Sequence, residues 1–355
     1  MLLIVQIWKF CIRLLQLSYL SLFLLCILVI KLMTNHIVLP PINRRPSMYP
    51  NPSTSQIVCL LLLVFSMLSC DDMQSGEDPP TPPTADLTSL PFGGTSPTDI
   101  LIRNEGDPEP DFLSLWLCGL PADGAGANNA SDWTNEDGTW DYTKKPQVEG
   151  EVIWDHEFDI TLDDNGNRIL TGNNLPNHPT GTFPIQQETE AWNYDRNPNI
   201  ISEQDVNYTL PAMPAVAASP SCVFFGPAGF SLTGAAIYHG ASTLGTDAAA
   251  HEMLDRFGGH TDGTERYHYH FPAQDLQDHI HTHTTGHSAL MGYMLDGFGI
   301  YGPHGEDGEI LTSEDLDECH GHTHTVLWDG EMIELYHYHW TYDFPYNIGC
   351  FKGTP

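Results

Sequence analysis

At 355 residues the chain is long enough for one large or two modest domains, so a sizeable buried core is open to it. Its 46 Asp and Glu against 13 Lys and Arg give a formal net charge of −33, and no acidic residue precedes Asp71. A field of that sign repels phosphate backbones and anionic head groups, which sets nucleic acid aside as a partner.

Residues 1–70 read as an N-terminal hydrophobic leader. Ile57 to Leu68 is an apolar run of signal-peptide length, too short to span a bilayer, that ends at Ser69 and Cys70. Met67-Leu68-Ser69-Cys70 is similar to a bacterial lipobox, which makes Cys70 the expected site of lipid attachment. An earlier apolar stretch, Leu14 to Leu32, has the length of a membrane helix, or precedes the true start if translation begins at Met33. A start at Met33 puts Arg44 and Arg45 ahead of the second run as its positive n-region. The expectation is an extracytoplasmic protein, membrane-anchored through lipid or helix, or secreted.

Residues 71–97, with Pro79-Pro80-Thr81-Pro82-Pro83, have nothing to pack and read as a tether. From residue 98 to 355 a β-rich domain is expected. Val152-Ile153-Trp154, Phe158 to Leu162 and Arg168-Ile169-Leu170 are short strand-like runs, the last two separated by the turn cluster Asp163 to Asn167. That cluster lacks the spaced acidic ligands and distal Glu of a calcium loop. With Cys11, Cys26, Cys59 and Cys70 in the leader, Cys118, Cys222, Cys319 and Cys350 remain for an exported domain. Three connectivities are open; Cys118 with Cys222 and Cys319 with Cys350 keeps each bridge within one region of the chain.

An internal repeat occupies about 222–355. Its first copy runs Gly234 to Tyr238, then Glu252-Met253-Leu254-Asp255 to His260, then Tyr267-His268-Tyr269-His270-Phe271. The second runs Gly297 to Tyr301, then Glu314-Asp315-Leu316-Asp317 to His322, then Tyr336-His337-Tyr338-His339-Trp340. Each unit reads as a strand, a loop, a short helix around the Glu-x-Leu-Asp block, a Gly-His turn and a Tyr-His strand. The fold class is therefore mainly β with short helices, a duplicated and sandwich-like arrangement.

Fifteen of the eighteen histidines lie between His239 and His339, a density that core packing does not require. On a strand, side chains alternate, so His268 and His270 share one face, as do His337 and His339. If the copies pack face to face, the four imidazoles converge on one divalent ion, Zn(II), Cu(II) or Fe(II). Glu252, Asp255, Glu314 and Asp317 are then further ligands or supports, and His178, His260, His322 and Asp296 possible helpers. The alternative is that the tyrosines face the core while the histidines bond to the Glu-x-Leu-Asp carboxylates. His279, His281 and His283, and His320, His322 and His324, alternate in the same way. Met291 and Met294 sit in the apolar run Ala289 to Leu295, where packing is the better reading than copper(I).

Enzyme motifs fall short. His251-Glu252-Met253-Leu254-Asp255 has Asp255 where a zinc-protease helix needs its second histidine. Gly286-His287-Ser288-Ala289-Leu290 lacks the closing glycine of a nucleophile elbow. A metal-dependent oxidoreductase or hydrolase stays open if the ion keeps a free position beside a pocket, and so does a structural or adhesive surface module without metal.

Both Tyr-His-Tyr-His blocks, Leu316-Asp317-Glu318-Cys319, Asp296 to Gly302 and Gly349-Cys350-Phe351-Lys352-Gly353 give the resemblance its residues. The chain resembles the YHYH-domain family of secreted bacterial proteins over about 170–355, weakly from Asn177-His178-Pro179. It departs at Phe257, where the family's first unit often has cysteine. That family is defined by its motif, so the resemblance carries over no catalytic residue.

Overall fold

The turn cluster Asp163 to Asn167 does what its residues suggest. The Asp163 carboxylate accepts from the backbone N–H of Asn165 and Asn167 at 2.9 and 2.8 Å, and Gly166 takes a positive φ of 82°. It closes a hairpin between β3 (Phe158–Leu162) and β4 (Asn167–Gly172), to which β5 (Val206–Pro211) adds a third antiparallel strand. In the computed structural model, residues 84–93, 115–119, 132–280 and 286–355 are described. The leader, Cys70, His281 and His283 lie outside them. Among the described residues no helix is long and apolar enough to cross a membrane.

The ordered chain reaches back into the expected tether. Leu90 is buried, and β1 (Leu90–Pro91) pairs with β2 (Thr139–Trp140). Apolar Leu90 is the reason: it joins the core that also holds Trp140. Val152-Ile153-Trp154, by contrast, forms no strand and makes only a single bridge, from Val152 to Thr180.

The duplication appears as a palindrome. The first unit supplies β6 (Gly229–Ser231), β7 (Ala236–Ile237), β8 (Gly259–Thr261) and β9 (Tyr267–Tyr269). The second supplies β10 (Leu290–Met294), β11 (Gly299–Tyr301), β12 (Gly321–Trp328) and β13 (Glu331–His339). They form one eight-stranded sheet in the order β12-β13-β11-β10-β6-β7-β9-β8. Within each unit the strand holding the Tyr-His pairs runs parallel to one neighbour and antiparallel to the other, and the units meet through the antiparallel β6–β10 pair. The protein is thus mainly β with short helices, α1 (Ala248–His251) and α2 (Gln274–Ile280). The expected helix around Glu252 to Asp255 ends earlier: α1 stops at His251, with the Asp247 carboxylate capping its start through the Ala250 N–H. In the second unit only a 3-10 turn, Ser313–Asp315, stands there.

By strand register, Phe230 and Tyr293 lie on the same face as the motif histidines. The three-stranded sheet covers that face at its centre, with Tyr208 against Phe230 and the Arg168 guanidinium 4.2 Å from the Tyr293 ring. At this patch the two sheets are layered in the manner of a sandwich. The bridges are Cys118–Cys222 and Cys319–Cys350. The first closes a separation of 104 residues, a loop for which chain entropy assigns about 4–5 kcal/mol. Met291 and Met294 are core residues.

Candidate metal centres

The tyrosines hold the frame. Tyr267 donates to the Asp255 carboxylate at 2.9 Å and Tyr336 to Asp317 at 2.9 Å. The same aspartates accept from the backbone of the Gly-His turn, Asp255 from Phe257 and Gly259, Asp317 from Cys319 and Gly321. A side chain at the turn's second glycine in the first unit, or at its counterpart in the second, would force the frame to shift: a Cβ on Gly259 or Gly321 would sit 2.5 or 2.4 Å from the hydroxyl of Tyr267 or Tyr336. Each second tyrosine has its own acceptor. Tyr269 donates to His178 Nε2 at 2.5 Å, and Tyr338 to the Asp296 carboxylate at 2.5 Å. His178 and Asp296 therefore stand on the tyrosine side, outside both histidine groups; Asp296 belongs to the second unit, whereas His178 comes from the chain ahead of the repeat. Phe257 stacks on His178 at 3.7 Å between ring centroids, where the second unit instead has disulfide-bonded Cys319.

The histidines form two groups. In the first unit β8 sets His260 directly opposite His268 of β9, and His270 follows; their ligand atoms lie within 4.8 Å of one another. In the second, β12 sets His322 opposite His337 of β13, and the ligand atoms of His287, His322, His324, His337 and His339 gather within the same limit. The two Tyr-His pairs do not converge on one ion. β9 and β13 stand five places apart in the sheet, roughly 24 Å at the usual strand spacing, because the units join through β6 and β10. Each pair finds its companions within its own unit.

Ring orientation is fixed by carbonyl groups, which can only accept. His268 Nδ1 donates to Arg266 O at 3.0 Å and His270 Nδ1 to His239 O at 2.7 Å. His287, His337 and His339 donate likewise to Ser288 O, Leu335 O and Gly302 O, at 2.7, 2.9 and 2.6 Å. Each of these neutral rings therefore carries its proton on Nδ1 and leaves Nε2 unprotonated, able to accept. Those nitrogens lie close together: His268 and His270 Nε2 are 3.0 Å apart, and His287 Nε2 is 3.3 and 3.2 Å from those of His337 and His339. Burial keeps the rings neutral. His268, His287 and His322 are pushed down to about 4 and His337 to about 2, while His260, His270 and His339 fall well below the ordinary value, loss of solvation being the largest cause in each.

Of the acidic residues expected near the imidazoles, only Glu252 faces a group, 3.3 Å from His260 Nε2 and 3.6 Å from His270 Nε2. Burial and then Asp195 push Glu252 up, against the pull of Lys145, so the Glu252–His260 contact is not an ion pair of full charges. Glu314, its sequence counterpart, is exposed. His320 bonds to Thr341 away from the second group, and His279 to Asn177. His287 is the member of the second group that sequence reasoning missed. Its one signal was Gly286-His287-Ser288 just before β10, weighed only as a nucleophile elbow.

Fold and site together define a disulfide-tied, duplicated β-protein with an imidazole cluster in each half. Residues 207–310 match the family model described as YHYH protein, and the chain carries a domain of that family. That match spans less than a third of the chain and ends before β12, so it takes in the first Tyr-His-Tyr-His and not the second. Neither a curated protein nor a solved structure matches the chain.

Proposed function

We propose that this is an exported metal-binding protein in which each unit holds one divalent cation. The first site consists of His260, His268 and His270 with Glu252, the second of His337 and His339 with His287, His322 and His324. One observation carries the reading: in the second group, His287 Nε2 lies 3.3 and 3.2 Å from the Nε2 atoms of buried His337 and His339, with the proton of each of the three rings committed to a carbonyl on its far side. Such a cluster is repulsive by itself and attractive around a cation. Tetrahedral Zn(II) at 2.0–2.1 Å from nitrogen sets its ligands about 3.3–3.4 Å apart, close to the separations found. Carbonyl-anchored Nδ1 groups are also the usual outer support of a metal-binding imidazole.

Nitrogen-rich sites suit Zn(II), Cu(II) or Fe(II), and a carboxylate in the first site inclines it towards Zn(II) or Fe(II). Export and an anchor at Cys70 agree with the two disulfides, which persist in oxidising compartments. A second reading, metal-dependent catalysis in the first unit, is favoured by the cavity beside His260, His268 and His270. Elemental analysis of untagged protein, after incubation with zinc and gel filtration, should find about two equivalents per chain, one of them lost in His337→Ala/His339→Ala and the other in His268→Ala/His270→Ala. No retained metal in the folded wild-type protein overturns the reading.

A further inference from the structure

The imidazoles of the first unit open into a cavity of about 990 Å³ whose wall also includes Arg196, Phe225, Tyr238, His239 and Arg266. In a chain of net charge −33 the placement of positive charge there is informative. Among the described residues the arginines are Arg168, Arg196, Arg256 and Arg266. Arg168 is paired with Asp329 at 2.8 Å, and Arg256 with Glu151 and Asp275 at 3.2 and 3.5 Å, none of them in the cavity wall. Arg196 and Arg266 do line it, and neither forms an ion pair with a carboxylate of the described residues.

Two buried donors there also lack an acceptor. Arg266 Nε has no hydrogen-bond partner. His239, 2% exposed, accepts from the Ala241 N–H through Nδ1 at 3.2 Å, so its ring proton sits on Nε2, which is buried and without a partner. The acids of the same wall are engaged elsewhere. Asp195 accepts from the backbone N–H of Asn197 and Met253, Asp262 from Thr264, Arg266 N–H and the Tyr238 hydroxyl, and Glu252 faces the imidazoles. An unpaired buried donor is costly because it has lost water and gained nothing in return, and a ligand that accepts from several of them recovers that cost.

We propose that this cavity binds a small organic oxyanion, a carboxylate or phosphate ester, through Arg196, Arg266 and His239, beside the three imidazoles of the first unit. Cavity size argues for an organic body: small-molecule sites run to about 1,000 Å³, and inorganic phosphate would leave most of this one empty. Phe225 and Tyr238 supply aromatic wall for that body. The inference rests on the metal reading only for the extra positive charge an ion would add; the arginines and His239 act without it.

Calorimetric titration of the full-length protein, zinc-loaded and chelator-stripped, with benzoate, phenyl phosphate, inorganic phosphate and benzyl alcohol tests this. Benzoate or phenyl phosphate should bind saturably to both forms, more tightly to the loaded one, while benzyl alcohol should not bind. Arg266→Gln and Arg196→Gln should each weaken the anion by about tenfold or more with the melting temperature and zinc content unchanged. Benzyl alcohol binding as well as benzoate, inorganic phosphate binding as well as phenyl phosphate, or unchanged affinity in both arginine variants overturns the proposal. A protein that fails to take up zinc but binds the anion in the stripped form refutes the metal reading and supports this one.

Discussion

Set side by side, the two units share the tyrosine half of the motif and part company on the histidine half. In both, an aspartate ties the first tyrosine to a Gly-His turn, and a separate acceptor holds the second. Beyond the three imidazoles common to each, the first unit adds a buried carboxylate and borders a cavity, whereas the second adds two more imidazoles. A frame held from one face of a strand leaves the other face free to diverge, because alternation separates the two sets of side chains.

Acid should expose the difference between filled and empty sites most strongly. Without metal, the buried imidazoles have folded-state values below the ordinary 6.5, so below that pH the unfolded chain binds more protons than the folded one. Stability then falls as pH drops from about 6.5 towards 4, at about 1.4 kcal/mol per pH unit for each imidazole concerned. Several such groups exceed the few kcal/mol that hold a typical domain, and metal bound only to the folded state opposes the loss. Circular dichroism against pH should place acid unfolding of stripped protein at a clearly higher pH than that of zinc-loaded protein. Coincident curves would mean that the groups hold no ion.

Glu252→Gln sharpens the contrast between the sites. It should lower zinc affinity of the first site about 10–100-fold and leave the second unmoved, which competition against a chelator can resolve as two separate constants. Equal shifts at both would show that the units do not act independently. The smallest effect concerns the frame. Tyr338→Phe removes the hydroxyl bond to the buried Asp296 carboxylate, leaving it the Gly353 and Phe298 N–H groups, and takes the acceptor from the Lys352 N–H, a cost of about 1.5–3 kcal/mol, whereas Tyr269→Phe removes bonds to the neutral partners His178 and Thr233 and should cost about 1 kcal/mol. Urea denaturation of both variants checks the order, with zinc content the same in each.

The duplication, the β-rich class, and the pairing of His268 with His270 and of His337 with His339 were legible because each rests on local alternation or on matched blocks in one order; the cysteine partners followed the simpler preference that each bridge stay within one region of the chain. What brings the pairs their companions was not. Sequence spacing says nothing about which strands adjoin, so it suggested one shared ion where the β6–β10 joint directs the Tyr-His strands towards opposite ends of the sheet. His287 lies fifty residues from His337 and enters the site only through the neighbouring strand order. His178 and Asp296 looked like spare ligands because a hydrogen-bond acceptor for a buried tyrosine has the same residue types as a metal ligand.

The β6–β10 seam also has an evolutionary meaning. Three backbone pairings join one four-stranded unit to the other in opposite directions, the geometry by which two identical chains zip edge to edge. A solitary ancestor of this unit would have exposed that strand edge and closed it with a second copy of itself. Two copies on one polypeptide are under no obligation to be identical, so one unit can keep a carboxylate and a cavity while the other gathers imidazoles.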